Sequence, residues 1–441
     1  MSPIAPQAWH RLVIAALLSF PLSTQAQYTG TATAGGNWDT TRPGGPGYQN
    51  TVNNYAYGGA SGIPASYDIK IGDVYLRAGA GLVFSYNDNI AYSSEDQQSD
   101  FIISPNARLG YYLPFTRENG MQLSLDFGAQ LYLNHDEFSN FTLFPNGDNA
   151  LEIYAESDNW TYRLRDAFHF YSSPLVNYRS TGSDDVRQFM NATILTADGD
   201  YDELLMGAAY THLINKYWGN DYEYLDRQSD LFNAYFGVRV SSPLILGVNA
   251  GINYDYYESG DLNDSFGVNG SIYSQFVLTR NISGGASVGW GWNRYEEGGL
   301  FDDREDFSDV IFSFVLTHEV NKYFRHSLNV FKNLQPGVTS NYQDTISLVY
   351  NIGWDLMRFW TVDLLYNFTY YDTSASDVSE TATLHRITLG HSWQLTKSIN
   401  LTTQYTFQVK ESDLTVDDDE WDLRDQNFSQ NVFSVGLQYL F

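Results

Sequence analysis

The sequence contains no cysteine among its 441 residues. That excludes a disulfide framework and any catalytic or metal site built on thiolates. Basic residues are scarce, with 24 lysines and arginines against 52 aspartates and glutamates, for a formal charge of −28. Such a chain repels polyanions, so nucleic acid is not expected as a partner. Long apolar runs are missing after the first 26 residues. Nothing later approaches the roughly 20 residues of a transmembrane helix, so any membrane must be crossed another way. Full disorder is excluded as well, because hydrophobic residues make up 43% of the chain.

The first residues match an export signal. Arg11 carries the positive charge, Leu12–Phe20 form a short apolar core, and Thr24-Gln25-Ala26 supplies small residues at a cleavage position. Residues 1–26 are therefore expected to be a signal peptide. Residues 27–66 are rich in Gly, Thr, Asn and Tyr and contain the run Arg42-Pro43-Gly44-Gly45-Pro46-Gly47. They show no periodicity and read as a flexible periplasmic leader, with a small plug in a lumen as the alternative.

From residue 67 onward the chain alternates with period two. Met121, Leu123, Leu125, Phe127, Ala129, Leu131 and Leu133 are apolar, and the residues between them are mostly small or polar. On a helix these side chains would scatter around the circumference, whereas on a strand they share one face. The same phase recurs in Leu244–Tyr256, Trp360–Tyr370, Ile399–Val409 and Phe433–Phe441. Connections alternate in length. Short ones lie at 115–119, 157–159, 197–202, 241–243, 280–281, 321–322, 355–358 and 396–398, and longer polar ones include 296–306 and 411–427. Short turns on one rim and long loops on the other describe a transmembrane antiparallel up-and-down β-barrel of the outer-membrane type. About eighteen strands fit residues 67–441, including 149–156, which restores an even count. Sixteen is the alternative. The predicted location is the outer membrane of a Gram-negative bacterium, with its lipid, lipopolysaccharide and the barrel-assembly machinery as partners.

Trp160, Trp354, Trp360 and Trp393 all sit beside short turns, where indoles suit the headgroup boundary, so an aromatic girdle is expected there. With the apolar phase facing lipid, the opposite phase faces the interior. That phase carries Arg77, Arg108, Arg163, Arg165, His169, Arg187, Arg239, Arg325, Arg386 and Lys410, and the acids Asp126, Asp255, Glu319, Asp355 and Asp363. A net basic lumen is thus expected, favouring anionic or polyhydroxylated solutes. In the alternative arrangement these cations pair with inward acids and brace the wall. The remaining acids crowd the long loops, at Glu296, Glu297, Asp302, Asp303, Glu305 and Asp306, and from Asp417 to Asp425. They read as a solvated outer face, with divalent-cation binding near 417–420 as a sharper alternative.

The final strand, with Phe433, Val435, Leu437, Tyr439 and the terminal Phe441, resembles the C-terminal assembly signal of Gram-negative outer-membrane proteins. Near the front, Gly81-Leu82-Val83-Phe84-Ser85-Tyr86-Asn87-Asp88-Asn89-Ile90 precedes Asp100-Phe101-Ile102-Ile103-Ser104-Pro105. This arrangement is similar to the opening of the β-barrel porins associated with exopolysaccharide secretion. The resemblance implies passage or export of saccharide and brings no catalytic residue with it.

Enzyme chemistry finds little support. One Gly-x-Ser-x-Gly match, Gly285-Ala286-Ser287-Val288-Gly289, falls inside a predicted strand rather than on a strand-to-helix elbow. There is no His-Glu-x-x-His. The pair Asp302-Asp303 lies in a loop without an evident pocket. No enzymatic activity, cofactor or metal centre is expected. The leading expectation is a passive channel, and the alternative is a non-conducting structural or adhesin-like barrel that displays acidic loops.

Overall fold

The computed structural model describes residues 67, 69–116, 118–143, 149–172, 187–218, 222–299, 302–337, 339–374, 378–416 and 427–440. The expected signal peptide and leader, the terminal Phe441 and the acidic run Asp417–Asp425 lie outside the described residues.

The strands in chain order are β1 (Ile69–Ile71), β2 (Val74–Asn87), β3 (Asp100–Pro114), β4 (Asn119–Tyr132), β5 (Asn140–Thr142), β6 (Ala150–Ser157) and β7 (Trp160–Ser172). They continue with β8 (Arg187–Tyr201), β9 (Leu204–Trp218), β10 (Arg227–Ser241), β11 (Leu244–Tyr257), β12 (Ser265–Thr279), β13 (Ile282–Tyr295) and β14 (Phe307–Asn321). The last are β15 (Phe324–Pro336), β16 (Tyr342–Met357), β17 (Trp360–Thr373), β18 (Val378–Gln394), β19 (Ile399–Val416) and β20 (Phe428–Leu440). Two of them are three-residue pieces. β1 pairs with the foot of β2, and β5 shares a place in the wall with β6, since both pair with β4, at Gly128–Gln130 and Asn119–Ser124 respectively. The rest form a closed antiparallel barrel of 18 strands. Closure comes from β2 against β20, running from Gly79↔Leu440 to Asn87↔Val432. No strand edge is left unpaired by that seam, which is the condition for placing a sheet in lipid.

The barrel is turned inside out relative to a soluble protein. On β11, Leu246, Val248, Ile252, Tyr254 and Tyr256 point outward and are exposed, Val248 at 52%. Asn253 and Asp255, on the opposite phase, are buried. β4 repeats the arrangement, with Phe127 and Leu131 exposed and Gln122, Asp126 and Gln130 buried. No helix among the described residues is long and apolar enough to cross a membrane. Strands of 13 to 18 residues, β6 excepted, exceed the roughly 9–11 needed to cross the hydrocarbon, so the wall extends beyond it.

Some boundaries differ from the sequence reading. β8 runs on to Tyr201, so most of the expected 197–202 connection is strand. The turn shrinks to Asp202-Glu203, with Asp202 in the left-handed region (φ 55) as two-residue hairpins require. β19 continues through Glu411 to Val416, inside the expected loop. In β19 the outward phase turns polar at Glu411, Asp413 and Thr415, and in β8 it shrinks to Ala197 and Gly199, so the hydrophobic alternation carries little signal there.

Candidate functional site on the inner wall

Alternation fixes which charges meet the interior. Arg77, Arg108, Arg163, Arg165, Arg239, Arg325, Arg386 and Lys410 fall on the inner phase, as does the buried His169. Arg187 does not. It opens β8 in register with Ser172 and Trp218, one residue out of phase with the inward Gln188 and Met190, and is exposed at the long-loop end. The expected inward set included Arg187 because the alternation is weakest at the start of this strand.

Arg227 is absent from the expected inward set because the outward phase of β10 turns apolar only at Phe232. It is buried on the inner wall, with Nε 3.8 Å from Asp255 Oδ1. Asp198 and Asp200, in the extended part of β8, and Glu380, in the early part of β18, escaped the inward set in the same way, while Glu152, inside the expected strand 149–156, also faces inward. The inner wall is therefore charge-mixed rather than net basic. Arg108 Nε donates to Asp126 Oδ1 at 2.8 Å, Arg239 Nη2 lies 3.4 Å from Asp200, and Lys410 Nζ lies 2.6 Å from Glu380 Oε1. Asp363 is buried near Arg325, both beside the side-chain-free face of Gly353. Glu319 and Asp355 sit at the short-turn rim.

Between the ion pairs the wall presents amides and hydroxyls. Asn233, Asn253 and Asn293 come from β10, β11 and β13, and Thr388, Gln408, Gln430 and Ser434 from β18 to β20. Several of these groups have no hydrogen-bond partner although buried, including Asn233 Oδ1, Asn249 Oδ1 and both amide atoms of Gln275 and Asn333. Aromatic rings lie flat along the inner face where glycines make room. The Tyr273 ring occupies the space a Cβ on Gly247 would need, and Tyr235 does the same over Gly207.

At the long-loop end, several segments pack against one another. Asp303, 3% exposed, accepts hydrogen bonds from the backbone N–H of Asn341 (2.6 Å) and of Glu305 (2.9 Å) and from the Ser374 hydroxyl. Asn263 donates to the Asp303 carbonyl and to Asn341 Oδ1, both at 2.8 Å. Four loops are thereby joined around one carboxylate. Burial pushes the Asp303 carboxyl above its ordinary value, against the hydrogen bonds from Ser374, Asn341 and Glu305. Elsewhere, Ile90, Ala91 and Tyr92 of the loop after β2 are buried, and the Tyr92 ring meets Phe428 edge-on at 5.2 Å.

The outer surface carries aromatic bands at both rims. Trp160, Trp354, Trp360 and Trp393 are on the outward phase at the short-turn end, and Trp160 Nε1 donates to the Tyr201 hydroxyl at 2.6 Å. Tyr86, Phe101 and Trp290 face outward toward the other rim, a band the short-turn criterion did not reveal. Phe433, Val435, Leu437 and Tyr439 follow the outward phase of β20. Ser287 of the Gly-x-Ser-x-Gly match lies within β13, its hydroxyl 2.7 Å from that of Ser313 on β14.

No protein-family model matches the chain, and no curated protein matches it. Among solved structures, it is similar to OccK2 (OpdF) of Pseudomonas aeruginosa at 13% identity and a TM-score of 0.47, covering 84% of this chain and 99% of that one. It is similar to the outer membrane protein OpdK of the same organism at 9% identity and a TM-score of 0.45, covering 83% and 99%. It is also similar to the siderophore receptor PirA from Acinetobacter baumannii at 11% identity and a TM-score of 0.43, covering 86% and 82%. Likeness of this degree identifies neither a family nor a solute.

Proposed function

We propose that this barrel is an outer-membrane channel for passive passage or export of anionic or polyhydroxylated solutes, exopolysaccharide included. The observation that carries the reading is the inner wall. It combines guanidinium groups with side-chain amides and hydroxyls whose hydrogen bonds are unfilled, a surface suited to the hydroxyls and carboxylates of saccharides. No energy-coupling motif is evident in the sequence, so transport follows a gradient or a partner. The exposed apolar belt requires bilayer lipid. The acidic outer loops would meet lipopolysaccharide through bridging cations, and the aromatic phase of β20 would address the barrel-assembly machinery.

Planar-bilayer recording of the purified full chain tests the reading. Steady single-channel current with solute-dependent interruption by acidic sugars supports it. An electrically silent protein in a correctly inserted barrel favours the structural or adhesin-like reading, which the packed loops at Asp303 and Tyr92 would suit. Clear cation preference would remove the anionic part of the proposal.

A further inference from the structure

Each of four inner-wall cations has a carboxylate within 4 Å, namely Arg108 with Asp126, Arg227 with Asp255, Arg239 with Asp200, and Lys410 with Glu380. Arg386 is different. It lies on β18, 4% exposed, and its Nε donates to Gln408 Oε1 at 2.9 Å. Its Nη2 is buried and has no hydrogen-bond partner, and no carboxylate among the described residues pairs with it. A guanidinium withdrawn from water without a counter-charge is costly, and the wall is rich enough in carboxylates to have supplied one. In register with Arg386 on the neighbouring β17 is Asn367, whose buried Oδ1 also has no partner. An unfilled cationic donor thus stands on the strand beside one with an unfilled neutral acceptor. A carboxylate satisfies the first and a hydroxyl hydrogen the second.

The site has a cover. The loop after β2 is held down by Asn89, which is fully buried. Asn89 Nδ2 donates to the carbonyls of Ser93 (2.8 Å) and Ser429 (2.9 Å), and Gln430 Nε2 donates to the Asn89 carbonyl (2.6 Å). Three residues on, Tyr92 adopts a left-handed backbone (φ 52), a strained conformation for a tyrosine. Its ring packs with Leu384 and Phe428. Leu384 shares the inward phase of β18 with Arg386, and a hydrogen-bond chain runs from Arg386 Nε through Gln408 and Gln430 to the Asn89 carbonyl, which ties the turn to the site.

We propose that Arg386, Asn367 and Gln408 form a subsite for a sugar-acid residue on the inner wall, and that the Asn89–Ser93 turn is its lid. The carboxylate of a uronate would take the free N–H of Arg386, and a ring hydroxyl would donate to Asn367. The inference deepens the channel reading by naming the solute class and the place where it pauses.

The test is calorimetric titration of sodium D-glucuronate into the detergent-solubilised full chain, with D-glucose as the neutral twin. Saturable binding of glucuronate and not of glucose is expected. Arg386→Met should weaken it at least tenfold, and Arg386→Lys should restore part of the loss. Asn89→Ala, which frees the lid without touching the subsite, should tighten binding several-fold. Boiled and unboiled samples on a gel verify that each variant is a folded barrel, and if neither Arg386 variant folds, the glucose control and Asn89→Ala decide. Equal affinity of Arg386→Met and the parent protein, equal binding of the two sugars, or no glucuronate binding even with Asn89→Ala would each overturn the subsite. Conductance recorded in parallel separates the two proposals. Binding without current leaves the subsite and removes the channel, and current without glucuronate binding does the reverse.

Discussion

The Glu380–Lys410 pair measures how dry the inner wall is. Lys410 is 2% exposed and Glu380 8%. The charges are 2.6 Å apart, and Glu380 also accepts hydrogen bonds from the hydroxyls of Tyr371 (2.8 Å) and Ser412 (2.5 Å). At that separation the attraction is about 6 kcal/mol at an effective dielectric of ~20, and under about 2 kcal/mol in bulk water. Most of the larger figure offsets desolvation, so the pair itself is not a large net gain. Removing one partner is another matter, because it strands a buried charge at a cost of about 3–5 kcal/mol. Glu380→Gln should therefore destabilise the barrel by that amount while keeping side-chain shape. Glu380→Gln combined with Lys410→Met should return to within about 1–2 kcal/mol of the parent, since no charge is left. Reversible urea unfolding in detergent micelles, followed by tryptophan fluorescence, reads all four corners of the cycle. A single-variant cost below about 1 kcal/mol, the range of a solvated surface pair, would refute the reasoning and mean that water reaches this part of the wall freely.

Three further outcomes follow from the same geometry. Val248→Arg places a charge on the lipid face and should cost about 2–4 kcal/mol, whereas Asn249→Arg, one residue on and facing inward, should cost much less; folding into vesicles measures both. Gly247→Val should destabilise by roughly 1–3 kcal/mol in the same assay, because its Cβ would overlap the Tyr273 ring and the Phe236 carbonyl. The Asp303 carboxyl is raised by burial, so the joined loops hold its proton more tightly than free loops do. Their stability should rise as pH falls through that raised value and level off near the ordinary value of about 3.9. Protection of the outer loops from proteolysis, corrected for the protease's own pH profile, should increase from pH 7.5 to 4.5 and become flat in Asp303→Asn, with Glu305 and the Asp302–Arg304 pair still present.

The barrel was legible because lipid imposes a strict rule on every second residue. A strand whose outward phase stays apolar from rim to rim, such as β11, has boundaries that coincide with the alternation. Where the wall rises above the hydrocarbon the rule lapses. Glu411, Asp413 and Thr415 continue the outward phase of β19 without an apolar residue among them, so that stretch read as loop. The same blindness hid Asp198, Asp200, Arg227 and Glu380, and with them the balance of charge on the inner wall. The composite stave of β5 and β6 was half seen, since Asn140–Thr142 is too short to show a period. Pairing was out of reach altogether. Whether an inward arginine meets an acid depends on register across strands, and only the structure distinguishes Arg386 from Arg108.

The absence of cysteine opens the most direct test of the inside-out arrangement. Single cysteines placed at Leu246, Val248, Asn249, Ala250, Ile252 and Asn253 on β11 would be exposed in vesicles to a water-soluble maleimide and to a membrane-confined one. The expected result follows the alternation: positions 249 and 253 react with the soluble reagent, and 246, 248, 250 and 252 with the lipid-phase reagent. Uniform reaction with the soluble reagent at all six positions would contradict the transmembrane barrel.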